Sequence, residues 1–401
     1  MDYLSAKNWL LSRPDYQHLG AGAYNPGLEV INKLLDWWGH PEKKVPVIHV
    51  AGTNGKGSVS HILASVLQEN HFKVGLYTSP HLKDFRERIK INGVVVKEDF
   101  VVSFVERIQP LMETLKPTFF ELTTAMAFAY FDLERVEIAV IETGLGGRLD
   151  ATNAVTPIVS VITSVGMDHV EILGKSLLEI AAEKAGIIKE EVPVVIGDVP
   201  DEVIAVFEDV AKKRKVKIHR ATSVKIKSDL TASYQQKNLN TANAVLEILK
   251  TKKWQLNKTD VSNGFLNVVI NTGLQGRMQT MGEEPLIIAD AAHNGQGITA
   301  LMNEISNIKH EKLHIVFGAA SDKNLTEIFE LFPAKAKYYF TEINSPRSQK
   351  NEVFREYGEA KGMNFKTYFK SNEALADAKA SAGKNDLILI CGSFYLLAEV
   401  L

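Results

Sequence analysis

Val45-Pro46-Val47-Ile48-His49-Val50-Ala51-Gly52-Thr53-Asn54-Gly55-Lys56-Gly57-Ser58 runs from a β-branched apolar segment into a glycine-rich loop. Residues 45–50 read as a buried strand, and Ile62, Leu63, Val66 and Leu67 lay one apolar stripe along a helix over 58–72. Between the two, three glycines let the backbone turn tightly. Successive N–H groups and the helix N-terminus then point at an anion. Lys56 is placed to reach β- and γ-phosphates as a point charge. The strict G-x-x-x-x-G-K-[ST] spelling is not met, because Gly57 holds the hydroxyl position and Ser58 comes one later. The alternative is a plain glycine-rich turn. The order strand, loop, lysine, helix favours phosphate, with Thr53, Asn54, Gly55, Lys56, Gly57 and Ser58 as the cradle.

Outward from this unit, short β-branched runs alternate with helical-period segments, the pattern of an α/β protein with a largely parallel sheet. Strands are expected at 74–77, 137–141, 158–163 and 193–196, and a helix at 177–189. A second series of strands, at 285–289, 313–317, 337–340 and 387–391, is enough for a smaller doubly wound sheet. The stretch 271–284, rich in Gly, Gln and Thr, reads as a hinge region between the two series. The expected organisation is a P-loop mononucleotide-binding domain over 1–277 and a Rossmann-like α/β domain over 284–401. A basic cluster at Lys212, Lys213, Arg214, Lys215, Lys217, His219, Arg220, Lys225 and Lys227 lacks interleaved aromatics, and reads as the wet side of a helix end and a following hairpin.

Composition narrows the class of protein without naming a chemistry. The 401 residues are 45% apolar, ample for more than one core. A net charge of −2, from 46 basic and 48 acidic residues, removes the usual electrostatic reason to expect nucleic acid or an anionic membrane as partner. No stretch approaches the 18 or so apolar residues of a membrane span, and the N-terminal residues 1–9 lack the layout of a signal peptide. One cysteine, Cys391, suits a reducing cytoplasm.

Further candidates sit at strand ends, where an open α/β sheet holds its ligands. Glu142 closes the run 138–141 and is a candidate for magnesium, or simply a solvated strand end. Asp168-His169 follow the strand at 158–163, and His169 is either a ligand or structural. Ser79, before Pro80, offers a hydroxyl oxygen or initiates a turn. Asp290 ends a second-series strand, placed to take a proton, hold an amine or cap a helix with Asn294. By periodicity Lys184 is only a charged helix position.

Together these strings resemble the folylpolyglutamate synthase/dihydrofolate synthase family, within the ATP-dependent Mur ligase superfamily. The resemblance rests on Gly52-Thr53-Asn54-Gly55-Lys56-Gly57-Ser58, Thr78-Ser79-Pro80, Glu87-Arg88-Ile89, residues 142–153 (ETGLGGRLDATN), Asp168-His169 and residues 183–189 (EKAGIIK). It continues through Tyr234-Gln235 with Asn238, Gly276-Arg277, Asp290 with Ala292-His293-Asn294, Asp322-Lys323 and Gly392-Ser393-Phe394-Tyr395. These strings run in order from about residue 45 to the C-terminus. Two spellings differ: Ala291 stands where the family usually has Gly, and Gly295 where it commonly has Pro. The stretch 18–27, which borders the folate site in the family, matches poorly.

The resemblance implies an enzyme that phosphorylates a folate or dihydropteroate carboxylate with ATP and lets L-glutamate attack the acyl phosphate. It implies two Mg²⁺ ions, one on Ser79 and Glu142, the other on Glu142 and His169. It implies that Lys184 is the lysine carbamylated in this family, and that Asn238 meets adenine and Arg277 phosphate. Asp290 and His293 are implied to face the nucleotide and the incoming glutamate, and Arg88 and Glu121 the folate side. A cytoplasmic monomer is expected. The alternatives are a Mur-type ligase for a cell-wall precursor, which would need a further N-terminal substrate domain, and a non-catalytic nucleotide-binding relative, which would lack metal or lysine positions.

Overall fold

The computed structural model describes residues 1–15, 25–252 and 254–401, so part of the poorly matching stretch 18–27 lies outside the described residues. Contacts divide the chain into two compact units, Met1–Leu230 with Gln235–Leu274, and Thr231–Tyr234 with Gln275–Leu401.

The first unit is built on an eight-stranded sheet. In chain order its strands are β1 (Val47–Ala51), β2 (Val74–Tyr77), β3 (Ile89–Ile91), β4 (Val94–Val95), β5 (Ile138–Glu142), β6 (Val159–Ser164), β7 (Val194–Asp198) and β8 (Ile218–Arg220). Their spatial order is β4-β3-β2-β5-β1-β6-β7-β8. β2, β5, β1, β6, β7 and β8 are parallel, with Val50 opposite Glu142 and Ala51 opposite Ile162. These inner strands read as continuous apolar runs because helices bury both faces. One face packs on Phe119–Leu133, a helix apolar nearly all round, and the other on Lys56–Glu69 and Gln235–Thr251.

Two local expectations change. The helix expected over 177–189 ends at Ala185, where Gly186 terminates it. The basic cluster is not a hairpin: helix Ile204–Lys213 crosses over to β8, which lies parallel to β7, and Lys212, Lys213, Arg214 and Lys215 are exposed.

The second unit holds β9 (Gln279–Glu283), β10 (Leu286–Ala289), β11 (Leu313–Phe317), β12 (Lys337–Thr341), β13 (Asn364–Tyr368) and β14 (Leu387–Cys391). They are ordered β13-β12-β11-β14-β10-β9, all parallel except β9 against β10. The stretch read as a hinge is therefore structured. Residues 279–283 form an edge strand, whose Gln-Thr-Met-Gly-Glu sequence is polar because, among the described residues, no second strand pairs with its outer edge. Ring-on-ring packing around Phe317, with Phe329, Phe332, Phe340 and Phe354 at 5.1–6.4 Å, fills one face of this sheet. Cys391 is buried in the same core. Among the described residues no helix is long and apolar enough to cross a membrane.

Candidate active site

In the first unit the expected residues emerge from neighbouring parallel strands. Ser79 follows β2, Glu142 ends β5, the loop 52–58 follows β1, and Asp168-His169 follow β6. Glu142 is buried, and its Oε2 accepts the Ser79 backbone N–H at 3.2 Å. His169 sits in the left-handed region at φ 50, with Nε2 3.8 Å from Asp168 Oδ1.

The loop is shaped by the end of β6, a contribution absent from the sequence reading. Thr53 N–H donates to the Ser164 carbonyl (2.9 Å), and Asn54 N–H donates to Ser164 Oγ (2.9 Å). Thr163 Oγ1 donates to the Asn54 carbonyl (2.7 Å), and a Cβ on residue 52 would stand 1.9 Å from that oxygen. Gly55, at φ 83, precedes helix Lys56–Glu69 and gives it no side-chain cap. The first N–H groups of that helix therefore face the loop mouth, the arrangement that binds phosphate. A Cβ on residue 55 would lie 2.2 Å from Asn238 Oδ1, so Asn238 abuts the loop. Lys56 Nζ donates to the carbonyls of Gly52 (3.0 Å) and Thr53 (3.3 Å), holding the ammonium across the mouth.

Lys184, a surface position by periodicity, is buried at 2% exposure. The cause is a close backbone approach between the ETGLGGRLDATN loop and the end of helix Leu177–Ala185. A Cβ on Gly147 would meet the carbonyl oxygens of Glu183 and Lys184 at 2.9 and 3.1 Å, and one on Gly186 would meet Arg148 Cα at 2.4 Å. Arg148 fastens the pair, its N–H donating to the Glu183 carbonyl and its Nη2 reaching the Glu183 carboxylate at 2.7 Å. Gly186→Ala forces backbone apart and is expected to destabilise the protein by about 2–3 kcal/mol, read from urea unfolding. An unchanged midpoint would show that the loop yields without cost.

Burial, with the Lys56 charge adding to it, lowers the Lys184 pKa to about 7, against opposition from Asp168 and Glu183. The donors that the resemblance implies for metal are one carboxylate (Glu142), one imidazole (His169) and one hydroxyl (Ser79). Among the described residues no three His, Cys, Asp or Glu side chains gather where they could hold a metal. Such a set suits Mg²⁺, which takes few protein ligands and completes its octahedron with water and phosphate oxygens.

Arg88 and Glu121 both lie near the start of helix Phe119–Leu133. Arg88 is fully buried, with Nε donating to His81 Nδ1 (2.9 Å) and its guanidinium 5.0 Å from the Phe119 ring centre. Glu121 forms a capping box with Thr118: its Oε2 accepts the Thr118 N–H, and the Thr118 hydroxyl oxygen accepts the Glu121 N–H. Burial raises its pKa, against hydrogen bonds from Thr118 and from the Asn25 side chain.

In the second unit, Asp290 follows β10 and is engaged by three donors. Oδ2 accepts from Tyr234 OH (2.6 Å) and Met278 N–H (2.8 Å), and Oδ1 from Ala292 N–H (2.9 Å). This carboxylate thus fastens the neighbours of Arg277 and His293. Burial, then Asp290, raises the Tyr234 pKa. His293 Nδ1 donates to the Ala291 carbonyl (2.8 Å), which directs Nε2 the other way. Asn294, not Asp290, caps helix Gly295–Ser306 by accepting the Gly297 N–H. Where the family has Pro, the space beside Gly295 is filled by the Glu327 carboxylate.

Comparison with known proteins follows this layout. Residues 50–277 match the Mur ligase middle domain and 276–394 the Mur ligase glutamate ligase domain. The chain is 31% identical to the dihydrofolate synthase/folylpolyglutamate synthase of Bacillus subtilis, over 99% of this chain and 98% of that one. Its structure is similar to that of E. coli FolC in complex with DHPP and ADP, at a TM-score of 0.87 and 29% identity over 100% and 97% of the two chains. It is also similar to a bifunctional folylpolyglutamate synthase/dihydrofolate synthase with Mn, AMPPNP and L-glutamate bound, at a TM-score of 0.85 and 26% identity over 100% and 97%.

Proposed function

The chain belongs to the folylpolyglutamate synthase/dihydrofolate synthase branch of the Mur ligases, which use ATP to join glutamate to folates, and on that premise we propose how its residues carry out the reaction. ATP phosphorylates the terminal carboxylate of a folate or of dihydropteroate. The amino group of L-glutamate attacks the acyl phosphate, the amide C–N bond forms, and phosphate leaves. The first half leaves ADP, and in the second the amine gives up its proton to the departing phosphate or to water.

Both halves are problems of charge on phosphoryl oxygens, for which fixed cations and N–H donors are the usual means. The N–H groups at the start of helix Lys56–Glu69 and the Lys56 ammonium hold the β- and γ-phosphates. Thr53, Asn54, Gly57 and Ser58 complete the cradle, and Asn238, beside Gly55, holds adenine. Ser79 with Glu142 would hold one Mg²⁺ and Glu142 with His169 a second, the ions neutralising phosphate charge. Ser79 thereby supplies the hydroxyl that Gly57 lacks. Lys184, buried and easily deprotonated, is suited to carbamylation, which would convert it to an anion. Arg277 takes phosphate and His293 the glutamate side, both steadied by Asp290. Arg88 and Glu121 border the folate. A reducing cytoplasm suits the buried Cys391 thiol.

The observation that carries this reading is the row of strand ends Ser79, Glu142 and the Lys56 loop on three adjacent parallel strands. The test offers purified protein ATP, Mg²⁺ and L-glutamate with dihydropteroate, tetrahydrofolate or a muramyl precursor, and measures ADP release. Acceptor-dependent ADP is expected with one pterin or both. ADP release with the muramyl acid and neither pterin would refute the folate assignment.

A further inference from the structure

We propose that Phe394 is a positioning residue that holds the Arg277 guanidinium ready for the nucleotide phosphates. The inference rests on the phosphate role given to Arg277 above.

The chain leaves β14 through Gly392, at φ 114, where a Cβ would lie 2.6 Å from both the Gly318 carbonyl oxygen and the Phe317 ring. Gly392 N–H donates to the Ala292 carbonyl (2.9 Å), which ties this turn to the residue before His293. Ser393 Oγ accepts the Tyr395 N–H and caps helix Phe394–Val400, which places Phe394 at the first helical position. The Arg277 guanidinium lies over that ring, 5.1 Å from its centre, and Nη1 donates to the Gly276 carbonyl (2.9 Å). Gly276, at φ 67, is seated on the same helix, since a Cβ there would lie 2.7 Å from Leu397 Cδ2. The His293 ring is 6.4 Å away at 57°, so Arg277 is the closer client.

Phe394 is half-exposed and takes no part in the apolar core of the second sheet. Packing of that core therefore does not explain an aromatic here. A π-face attracts a cation where an aliphatic side chain of similar bulk does not. An arginine held beforehand gives up less rotamer freedom when phosphate arrives. The effect belongs to nucleotide binding and should appear in KM for ATP more than in kcat.

The test is a double-mutant cycle on the full chain, with ADP release measured against ATP concentration and melting curves taken for each variant. Phe394→Leu is expected to raise KM for ATP by about three- to five-fold, with kcat within about two-fold and the melting curve unchanged. Phe394→Tyr, which keeps the π-face, should restore the wild-type KM. In an Arg277→Ala background, Phe394→Leu should add nothing. An unchanged KM in Phe394→Leu, or its full effect in the Arg277→Ala background, overturns the proposal while leaving Arg277 with its role. If Arg277→Ala itself leaves KM for ATP unchanged, the phosphate role of Arg277 fails and the proposal falls with it.

Discussion

Glu142→Gln is expected to lower turnover by about a thousand-fold or more while leaving the fold intact. Glu142 ends a fully buried strand whose register against β1 places it beside Val50, two residues before the phosphate loop begins. Its Oε2 already accepts the Ser79 N–H at 3.2 Å, and an amide oxygen can accept that bond equally well. The substitution therefore keeps shape and hydrogen bond and removes only the charge. Loss of one electrostatic contact at a developing oxyanion costs on the order of 10²–10³ in rate. With the proposed sharing of Glu142 by two cations, the loss should be at least the upper figure, with a strong rise in the Mg²⁺ needed for half-maximal rate. The measurement is ADP release against Mg²⁺ concentration at saturating ATP. A wild-type rate, or an unaltered Mg²⁺ dependence, would remove Glu142 from the metal site.

Glu142 was readable because it is a lone carboxylate closing an uninterrupted apolar run, and parallel strands buried on both faces announce themselves by such runs. β1, β2, β5, β6, β7, β10, β11, β12 and β14 were all legible for this reason, to within a residue or two at their ends. β9 was not, since an edge strand needs no apolar face and Gln-Thr-Met-Gly-Glu reads as loop. Helix Phe119–Leu133 went unread because it is apolar on every side and shows no stripe. Around the phosphate loop, three glycines and Lys56 spoke plainly in sequence. The hydroxyls of Thr163 and Ser164 that hold the loop lie more than a hundred residues on, and only the β1–β6 pairing brings them there. Its place at a strand end singled out Asp290, yet of its three donors only Ala292 is local: Met278 is brought by the β9–β10 pairing and Tyr234 lies 56 residues away in sequence.

Lys184→Met is expected to make the enzyme more stable and nearly inactive at once. Periodicity alone puts this lysine on a wet helix face, but the Gly147 and Gly186 contacts press a loop against the helix end and bury the amine. Its folded-state pKa of about 7 lies below the usual lysine value of 10.5. Between those two pH values the unfolded chain binds more protons than the folded one, so stability of the unmodified protein rises with pH across the window. The cost of the buried charge is fully present below about pH 7 and gone above about pH 10.5. Replacing the amine with an uncharged stem of similar length should therefore stabilise by a few kcal/mol at pH 6.5 and by much less at pH 10. Urea unfolding of both proteins in CO₂-free buffer measures the difference, and an equal gain at both pH values would refute the buried-charge argument. The same low pKa leaves a large fraction of the amine neutral and nucleophilic at pH 7.5–8. Added ¹³C-bicarbonate should give a carbamate signal in the wild type that Lys184→Met lacks. Turnover of the variant should fall by about a hundred-fold, the scale of losing one placed charge beside the phosphates. A wild-type spectrum without the carbamate signal would leave Lys184 a buried amine and withdraw the modification. A residue whose removal stabilises the fold and disables the reaction is one the protein keeps for its chemistry.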